Sequence, residues 1–345
     1  MSEPSSEKTG NIPAGVLENV SQTAVEDSVQ ALSDLVKDEH VILGLSGGVD
    51  SSVVAALLSQ AIGKQLTCIF VNHGLLRENE PEQVQQVFTT LFNVDFVYVD
   101  AVERYLEALA GISAPEEKRS IIGSLFWTIF FEEAEKIAQK TGAPVKFLAQ
   151  GTIYPDVLES SKAVKSHHNL VPFPAGVSFE LIEPLQRLYK HQVRELGILL
   201  GLPTTSVYRQ PFPGPGLAVR IIGDVSADKL AILKEADAIV RAEIDAYNET
   251  LFKQTGIRDS EHSVWQYFAV LPDVKSVGVV DGQRNYERPI ILRAIESRDA
   301  MTARWAQLPY ELLDQISQRI VNEVEGINRV LFDITSKPPA TIEWE

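Results

Sequence analysis

Short apolar runs alternate with helical patterns between residues 41 and 149, and this alternation limits the possible folds more than any other feature. The apolar runs cover residues 41–45, 66–71, 96–99 and 145–149. Between them, hydrophobic residues recur at the three- and four-residue spacing of one helix face. Strands that are joined by helices pair in parallel. We therefore predict an α/β fold with a doubly wound parallel sheet.

The alternation ends near residue 150, and a second pattern begins after a segment rich in proline and glycine. Residues 151–180, rich in Ser, His, Lys and Pro, are interpreted as a lid or an insert without regular structure. Residues 211–216 read Pro-Phe-Pro-Gly-Pro-Gly, which is typical of a boundary. The predicted parts are a flexible acidic tail at 1–22, a first domain at 23–218 and a small α/β domain at 219–345.

The composition excludes several classes of protein. The chain carries 47 acidic and 31 basic side chains, a net charge of −16, which disfavours charge-driven binding to nucleic acid. No apolar stretch reaches the roughly 18 residues that span a membrane, and no signal peptide is recognisable. A single cysteine, Cys68, excludes an internal disulfide and a thiolate metal cage. A cytoplasmic enzyme is the expectation.

A glycine-rich octet joins the first apolar run to the next helix. It reads Leu45-Ser46-Gly47-Gly48-Val49-Asp50-Ser51-Ser52. The glycines allow backbone N–H groups to approach an anion closely, and the helix N-terminus adds partial positive charge. The serine hydroxyls can donate to phosphate oxygens, while Asp50 can hold Mg²⁺ or orient the loop. The pattern is neither a Walker A loop nor G-x-G-x-x-G, and a plain turn with helix caps is the alternative.

In this strand–loop–helix setting, the octet resembles the phosphate loop of the N-type ATP pyrophosphatases. The resemblance implies that the loop holds the pyrophosphate of ATP while a substrate oxygen attacks the α-phosphorus. The residues that this implies for ATP binding are Ser46, Gly47, Gly48, Val49, Asp50, Ser51, Ser52 and Gly151.

Four further segments resemble the synthetase part of the GMP synthetases, from about residue 25 to residue 345. They are residues 150–160, 165–169, 211–217 and 337–345. The resemblance implies a ligase in which MgATP adenylylates XMP at its C2 oxygen. Ammonia then attacks C2 and displaces AMP, which gives GMP.

The same resemblance implies roles for individual residues. The implied catalytic residues are Asp50, Asp156, Glu159, Lys165, His167 and His168, with Asp50 and Asp156 as Mg²⁺ ligands. The implied residues for the nucleotide substrate are Arg119, Pro213, Gly214, Lys337, Thr341, Ile342 and Glu343. By residue type alone, the two carboxylates are also compatible with helix capping, the paired histidines with solvent contact, and Arg119 with an ordinary helix-surface charge.

Two departures from the family pattern and two expected partners complete the prediction. Asn72-His73 stands where the family has an acid and an asparagine, and the lid is shorter between Ser160 and Lys165. The second domain resembles a dimerisation domain, so a homodimer is expected. The candidate interface aromatics, which are alternatively core residues, are Trp265, Tyr267 and Phe268. Because only about 40 residues precede the first strand, we expect ammonia from solution or from a separate glutaminase subunit.

Three other functions remain open from the sequence. They are an NAD synthetase-like amidation, a tRNA thiolation and a catalytically silent nucleotide-binding role. Thiolation requires catalytic cysteines and a basic RNA-binding face, which this acidic chain lacks. A silent relative would be expected to show damage in the octet or at Asp156 and Glu159, and these are intact.

Overall fold

The computed structural model describes residues 15–162, 179–256, 263–297 and 300–345. The chain forms two compact units that draw on interleaved stretches of sequence. The first unit comprises Met1–Val71, Glu82–Val99 and Trp127–Arg209. The second comprises Asn72–Pro81, Asp100–Phe126 and Gln210–Glu345.

The first unit is built on a five-stranded sheet. Its strands are β1 (Val41–Leu45), β2 (Leu66–Asn72), β3 (Asp95–Asp100), β4 (Phe147–Ala149) and β5 (Glu180–Ile182). The helices from residue 22 to residue 207 are α1 (Gln22–Val36), α2 (Val49–Ile62), α3 (Glu80–Leu91), α4 (Val102–Leu109), α5 (Pro115–Thr141), α6 (Tyr154–Lys162), α7 (Lys190–Leu199) and α8 (Thr204–Val207). The strand order is β3-β2-β1-β4-β5. β1 pairs in parallel with β2 and β4, and β4 with β5. This confirms the predicted doubly wound sheet.

Burial explains why these runs form strands and why α2 occupies the centre of the unit. β2 is buried from Leu66 to Val71, as expected of a strand covered on both faces. Six consecutive residues of α2, Val53–Leu58, are buried as well. α1 and α7 both pack against α2, so apolar residues occur on more than one face of this helix. The loop that precedes α2 is therefore fixed to a rigid core element.

Two regular elements lie inside residues 151–180, which we interpreted as a lid or an insert without regular structure. Residues 154–162 form α6, in which Pro155 suits the first turn because it lacks an N–H donor. Asp156 Oδ2 accepts a hydrogen bond from the Ile153 N–H at 2.9 Å, which caps this helix. β5 then adds a fifth strand beside β4. The alternative of an insert without regular structure therefore does not apply to residues 154–162 and 180–182, and the lid stays a prediction.

The stretch that leads into α1 is held by the first unit. Leu17 is buried, and its N–H donates to the Pro184 carbonyl at 2.9 Å. Ser28 donates to the Gly15 carbonyl at 2.6 Å. The residues from 15 onward thus belong to the folded unit although the sequence pattern assigned them to the acidic tail.

The second unit combines a mixed sheet with long helices. Its further elements are α9 (Ala227–Thr255), β6 (Gln266–Val270), β7 (Ser276–Val280), β8 (Gln283–Glu296), β9 (Arg304–Trp305), α10 (Tyr310–Glu323) and β10 (Ile327–Asp333). β8 is the central strand: β6, β7 and β9 pair with it antiparallel, and β10 pairs in parallel. This confirms the expected small α/β domain.

All five residues of β6 are buried, including Tyr267 and Phe268. Of the two alternatives for these aromatics, core packing is the one that the structure supports. Trp265, just before the strand, is partly exposed. Across the part of the chain that the structure describes, no helix is long and apolar enough to cross a membrane.

Candidate active site

The octet forms a tight loop between β1 and α2. Gly47 has φ = 72°, a conformation that L side chains rarely adopt. A Cβ atom on Gly47 would also lie 3.3 Å from Val84 Cγ2. Gly48 is the N-cap of α2 and offers no capping side chain. The first N–H groups of α2 have no partners within the helix, so they are available to an anion in front of the loop.

Serine hydroxyls hold this loop in shape. Ser46 Oγ accepts from the Gly48 N–H at 3.2 Å and lies 3.2 Å from Ser51 Oγ. The hydroxyls of Ser51 and Ser52 donate to the Gly48 carbonyl at 3.2 and 2.9 Å. The serine hydroxyls therefore hold the backbone of the loop in a defined conformation.

Two cationic side chains lie beside the loop in this acidic chain. Lys190, the first residue of α7, donates from Nζ to Asp50 Oδ2 at 2.6 Å. Arg209 Nη2 lies 3.5 Å from the position that a Cβ atom on Gly47 would occupy. With the positive end of α2, these groups provide an electropositive environment suited to phosphate.

Asp50 is suited to a hard cation that arrives with an anionic ligand. Its Oδ1 is buried and has no hydrogen-bond partner among the described residues. A buried carboxylate oxygen in this state is costly unless a cation or a donor satisfies it. Within the described ranges, no group of three or more His, Cys, Asp or Glu side chains gathers into a metal site. Mg²⁺ fits this environment because it is usually held by one or two carboxylates together with substrate phosphates.

The neighbouring strand brings a second loop to the same sheet edge. β1 and β4 are parallel neighbours, so the segments that follow them lie at one edge, where α/β sheets bind ligands. A Cβ atom on Gly151 would lie only 2.9 Å from the Ser51 nitrogen and 3.0 Å from Asp50 Cβ. Glycine at 151 therefore allows the segment after β4 to lie against the first turn of α2.

The remaining residues predicted for catalysis fall partly within the described structure. Asp156 uses one carboxylate oxygen as the α6 cap, so the capping alternative applies to that atom. Glu159 lies within α6. Lys165, His167 and His168 lie outside the described residues, and their catalytic roles stay predictions.

In the second unit, buried cations hold the C-terminal segment, residues 337–345. Arg293 is fully buried and donates to the Thr341 carbonyl at 2.9 Å and the Thr335 carbonyl at 2.6 Å. Ile342 packs against the buried cluster of Phe268, Val270 and Ile291. The structure therefore gives the predicted nucleotide-binding segment a fixed backbone.

The predicted residues of the second unit have defined neighbours. Arg119 Nη2 donates to the Glu345 main-chain oxygen at 2.5 Å. Lys337 Nζ donates to the Ala300 carbonyl at 2.8 Å. The Glu343 carboxylate pairs with Arg220, whereas Gly214 is exposed. These contacts bring Arg119 to the C-terminal segment, and the nucleotide-binding roles of these residues remain predictions.

Asn72 and His73, where the sequence departs from the family pattern, build a turn after β2. Asn72 Oδ1 accepts from the Gly74 N–H at 3.1 Å, and His73 Nδ1 accepts from the Leu75 N–H at 3.0 Å. Burial lowers the pKa of His73 to about 4, with a further contribution from the positive charge of Lys234. Both side chains thus stabilise this turn by accepting hydrogen bonds from its backbone.

Several residues in these sites escaped the sequence analysis. Lys190 lies 140 residues from Asp50 in the chain, and Arg209 is similarly distant from Gly47. Lys118 is fully buried and donates to the carbonyls of Ala218 and Ile221 and to the Glu345 carboxylate. Burial could have revealed only Lys118, whereas Lys190 is partly exposed and only the fold brings Lys190 and Arg209 to the loop.

Comparisons with known proteins identify both parts of the chain. Residues 253–344 match the GMP synthase C terminal domain family, and residues 22–111 match the NAD synthase family. The chain is 52% identical to the glutamine-hydrolysing GMP synthase of Clostridium novyi over 324 residues, which are 93% of this chain and 60% of that protein. It is 53% identical to the enzyme of Halothermothrix orenii over 325 residues, again 93% of this chain, and 61% of that protein.

A solved NMN synthetase from Francisella tularensis is 19% identical, with a TM-score of 0.41 over 56% of this chain and 77% of that chain. The chain spans about 60% of the length of the curated relatives that it matches. The resemblance drawn from the sequence motifs is confirmed. One stretch of the chain matches the NAD synthase family and another matches the GMP synthase C terminal domain family, and the chain is similar to the glutamine-hydrolysing GMP synthases over 93% of its length.

Proposed function

We propose that this protein catalyses the ATP-dependent amination of XMP to GMP, with AMP and pyrophosphate as the other products. The observation that carries the proposal is the combination of two features in one chain. The first unit has a glycine-rich loop at the N-terminus of α2 with two cationic side chains beside it, and residues 253–344 match the GMP synthase C terminal domain family.

In the first step, the C2 oxygen of XMP attacks the α-phosphorus of ATP. The bond from that phosphorus to the bridging oxygen breaks, and pyrophosphate leaves. Negative charge then increases on the pyrophosphate, and the N-terminus of α2, Lys190 and Arg209 are the groups that would stabilise it. A lid at residues 151–180, with Lys165, His167 and His168, is part of this proposal.

Asp50 and Asp156 are the proposed ligands of Mg²⁺. Bound Mg²⁺ would neutralise phosphate charge and orient the polyphosphate. The buried, unpartnered Oδ1 of Asp50 supports this assignment. Lys190 keeps the other Asp50 oxygen in a defined position, so the carboxylate faces the loop before any substrate binds.

In the second step, the nitrogen lone pair of ammonia attacks C2 of the adenylylated base. The C–N bond forms, the C2–O bond breaks, and AMP departs with that oxygen while the nitrogen loses a proton. Arg119, Pro213, Gly214 and the residues of the C-terminal segment are proposed to hold XMP.

We further propose a cytoplasmic homodimer to which a glutaminase supplies ammonia. The exposed β7–β8 hairpin, with Val279 and Tyr286 at its surface, supports an association surface.

An NAD synthetase-like amidation is the second candidate, because residues 22–111 match the NAD synthase family. Both reactions would use the phosphate loop in the same way. They differ in the acceptor, and the match of residues 253–344 to the GMP synthase domain favours XMP.

The direct test mixes purified protein with MgATP, ammonium and either XMP or nicotinic acid adenine dinucleotide. We expect GMP, AMP and pyrophosphate in equal amounts with XMP, and no pyrophosphate without an acceptor. Supplying ammonium makes the result independent of where ammonia arises in the cell. Pyrophosphate release that depends on the dinucleotide instead of XMP would support the second candidate and refute the first.

A further inference from the structure

Arg220 lies at the end of the Pro/Gly-rich segment and is completely buried. It makes a two-point contact with Glu343: Nε donates to Oε2 at 3.0 Å, and Nη2 donates to Oε1 at 2.9 Å. Gln266 also donates to Glu343 Oε1 at 3.0 Å. These planar, two-point bonds fix the orientation of the carboxylate as well as its position.

The same guanidinium also contacts the segment that contains Pro213 and Gly214. It lies over the Phe212 ring, with its central carbon 5.1 Å from the ring centroid, and over the Phe268 ring at 3.9 Å. Arg77 lies over the Phe212 ring as well, at 4.3 Å, and donates to the Pro211 carbonyl at 3.0 Å. Phe212 is therefore held by two cations immediately before Pro213.

A buried guanidinium with one carboxylate partner is commonly a stabilising pair and nothing more. Arg220 differs because its two sets of contacts lead to two segments that the proposed function assigns to the same purine base. One is Pro213–Gly214, proposed to pack on the base, and the other contains Glu343, proposed to recognise its edge. Asp237 Oδ1, on α9, lies 3.7 Å from Arg220 Nη1 and forms an ion pair with the guanidinium without a hydrogen bond.

We propose that Arg220 is a positioning residue for XMP: it sets the distance and orientation between the base-packing segment and the Glu343 carboxylate. This inference rests on the proposed function and deepens it. Arg220 does not itself contact the base in this account. Its loss acts through Glu343 and Phe212, and therefore on XMP and not on ATP.

The test measures the binding of XMP and of MgATP, each alone, by calorimetry for Arg220→Lys, Phe212→Leu and Glu343→Gln. Arg220→Lys keeps the charge and loses the two-point geometry. We expect XMP affinity to fall about 10- to 100-fold in each variant, because small misplacements of binding groups have effects of this size. MgATP affinity should change by less than about twofold. Arg319→Lys is the matched control, since Arg319 also pairs with two carboxylates, those of Glu243 and Glu323.

A double-mutant cycle separates positioning from a merely structural role. The variant that combines Arg220→Lys with Glu343→Gln should bind XMP no more weakly than whichever single variant binds it more weakly. The reason is that both changes disable the same Arg220–Glu343 pair. Additive losses, or parallel losses of XMP affinity, MgATP affinity and Tm, would overturn the inference. If Arg220→Lys does not fold, Phe212→Leu decides: unchanged XMP binding there refutes the inference. If the unaltered protein does not bind XMP, the proposed function fails and the inference falls with it.

Discussion

The ion pair between Lys190 and Asp50 shows how charge is arranged at the scale of single residues. Both side chains are partly exposed, 44% for Lys190 and 27% for Asp50, and such pairs contribute roughly 0–1 kcal/mol to stability. The Lys190–Asp50 ion pair therefore contributes little to the stability of the fold. In the proposed function, the pair keeps a cation beside the glycine-rich loop in a chain with a net charge of −16.

We predict that Lys190→Met weakens MgATP binding roughly 10- to 100-fold, the effect of removing a charge-assisted hydrogen bond. Tm should change little, because the lost ion pair is partly exposed. Calorimetric titration with MgATP and thermal unfolding measure the two quantities.

The control for this prediction is Lys146→Met. Lys146 has the same exposure, 44%, and forms its own ion pair with Glu180 at 3.5 Å. It should retain full MgATP affinity. Equal losses in both variants would mean that the effect of Lys190 is a general charge effect, which contradicts its assignment to the site.

Residues within the loop were predictable because their chemistry is local. Gly47, Gly48 and the adjacent serines occupy consecutive positions, and the strand and helix around them were recognisable from hydrophobic spacing. Lys190 and Arg209 were not predictable, since only the fold brings them to the loop. The roles of Lys118 and Arg220 required knowledge of burial, which the sequence pattern does not supply for a charged residue.

At the scale of elements, the sheet was more predictable than the connections. β1 and β2 are short apolar runs because neighbouring elements cover both their faces. The helix α6 was missed because Ser and Lys dominate the segment around it, although Pro155 and Asp156 supplied a helix-start signal. β4, Phe147–Ala149, was predicted from the apolar run at 145–149, whereas β5, Glu180–Ile182, was missed because a strand of three residues carries little periodicity.

The turn after β2 contains a group that links stability to pH. In the folded state the pKa of His73 is about 4, lowered from 6.5 mainly by burial. Between these values the unfolded chain binds a proton that the folded protein does not, so stability falls as the pH falls.

Between pH 7 and pH 4, the free energy of unfolding of the unaltered protein should therefore decrease by about 1–3 kcal/mol more than that of the His73→Gln variant. Urea unfolding across this range measures the difference. His191→Gln, which replaces an exposed histidine on α7, is the control variant. Identical profiles for the unaltered protein and His73→Gln would show that His73 is not the group responsible.

At the scale of the whole molecule, charge is distributed in two ways. The excess of acidic residues gives the net charge of −16. At the same time, Lys118, Arg220 and Arg293 are completely buried in the second unit and bind carbonyls or carboxylates of residues 335–345. Buried cations of this kind are costly to leave unpaired, so the C-terminal segment and these side chains are expected to order together.

The units draw on interleaved stretches of chain, with residues 72–81 and 100–126 joining the second unit. Hydrophobic spacing identifies elements one after another and does not reveal which distant elements pack together. The proposed function rests on the resemblance of separate motifs, whereas the neighbours of each residue are known only from the fold.

In the proposed reaction, the C2 oxygen of XMP attacks the α-phosphorus of ATP and leaves with AMP. XMP labelled with ¹⁸O at C2 tests it most directly, with products of the ammonium-dependent reaction analysed by mass spectrometry. Transfer of the C2 oxygen to AMP predicts one ¹⁸O atom in AMP for each GMP formed, and none in pyrophosphate. Label in pyrophosphate, in free phosphate or in water, with unlabelled AMP, would contradict it.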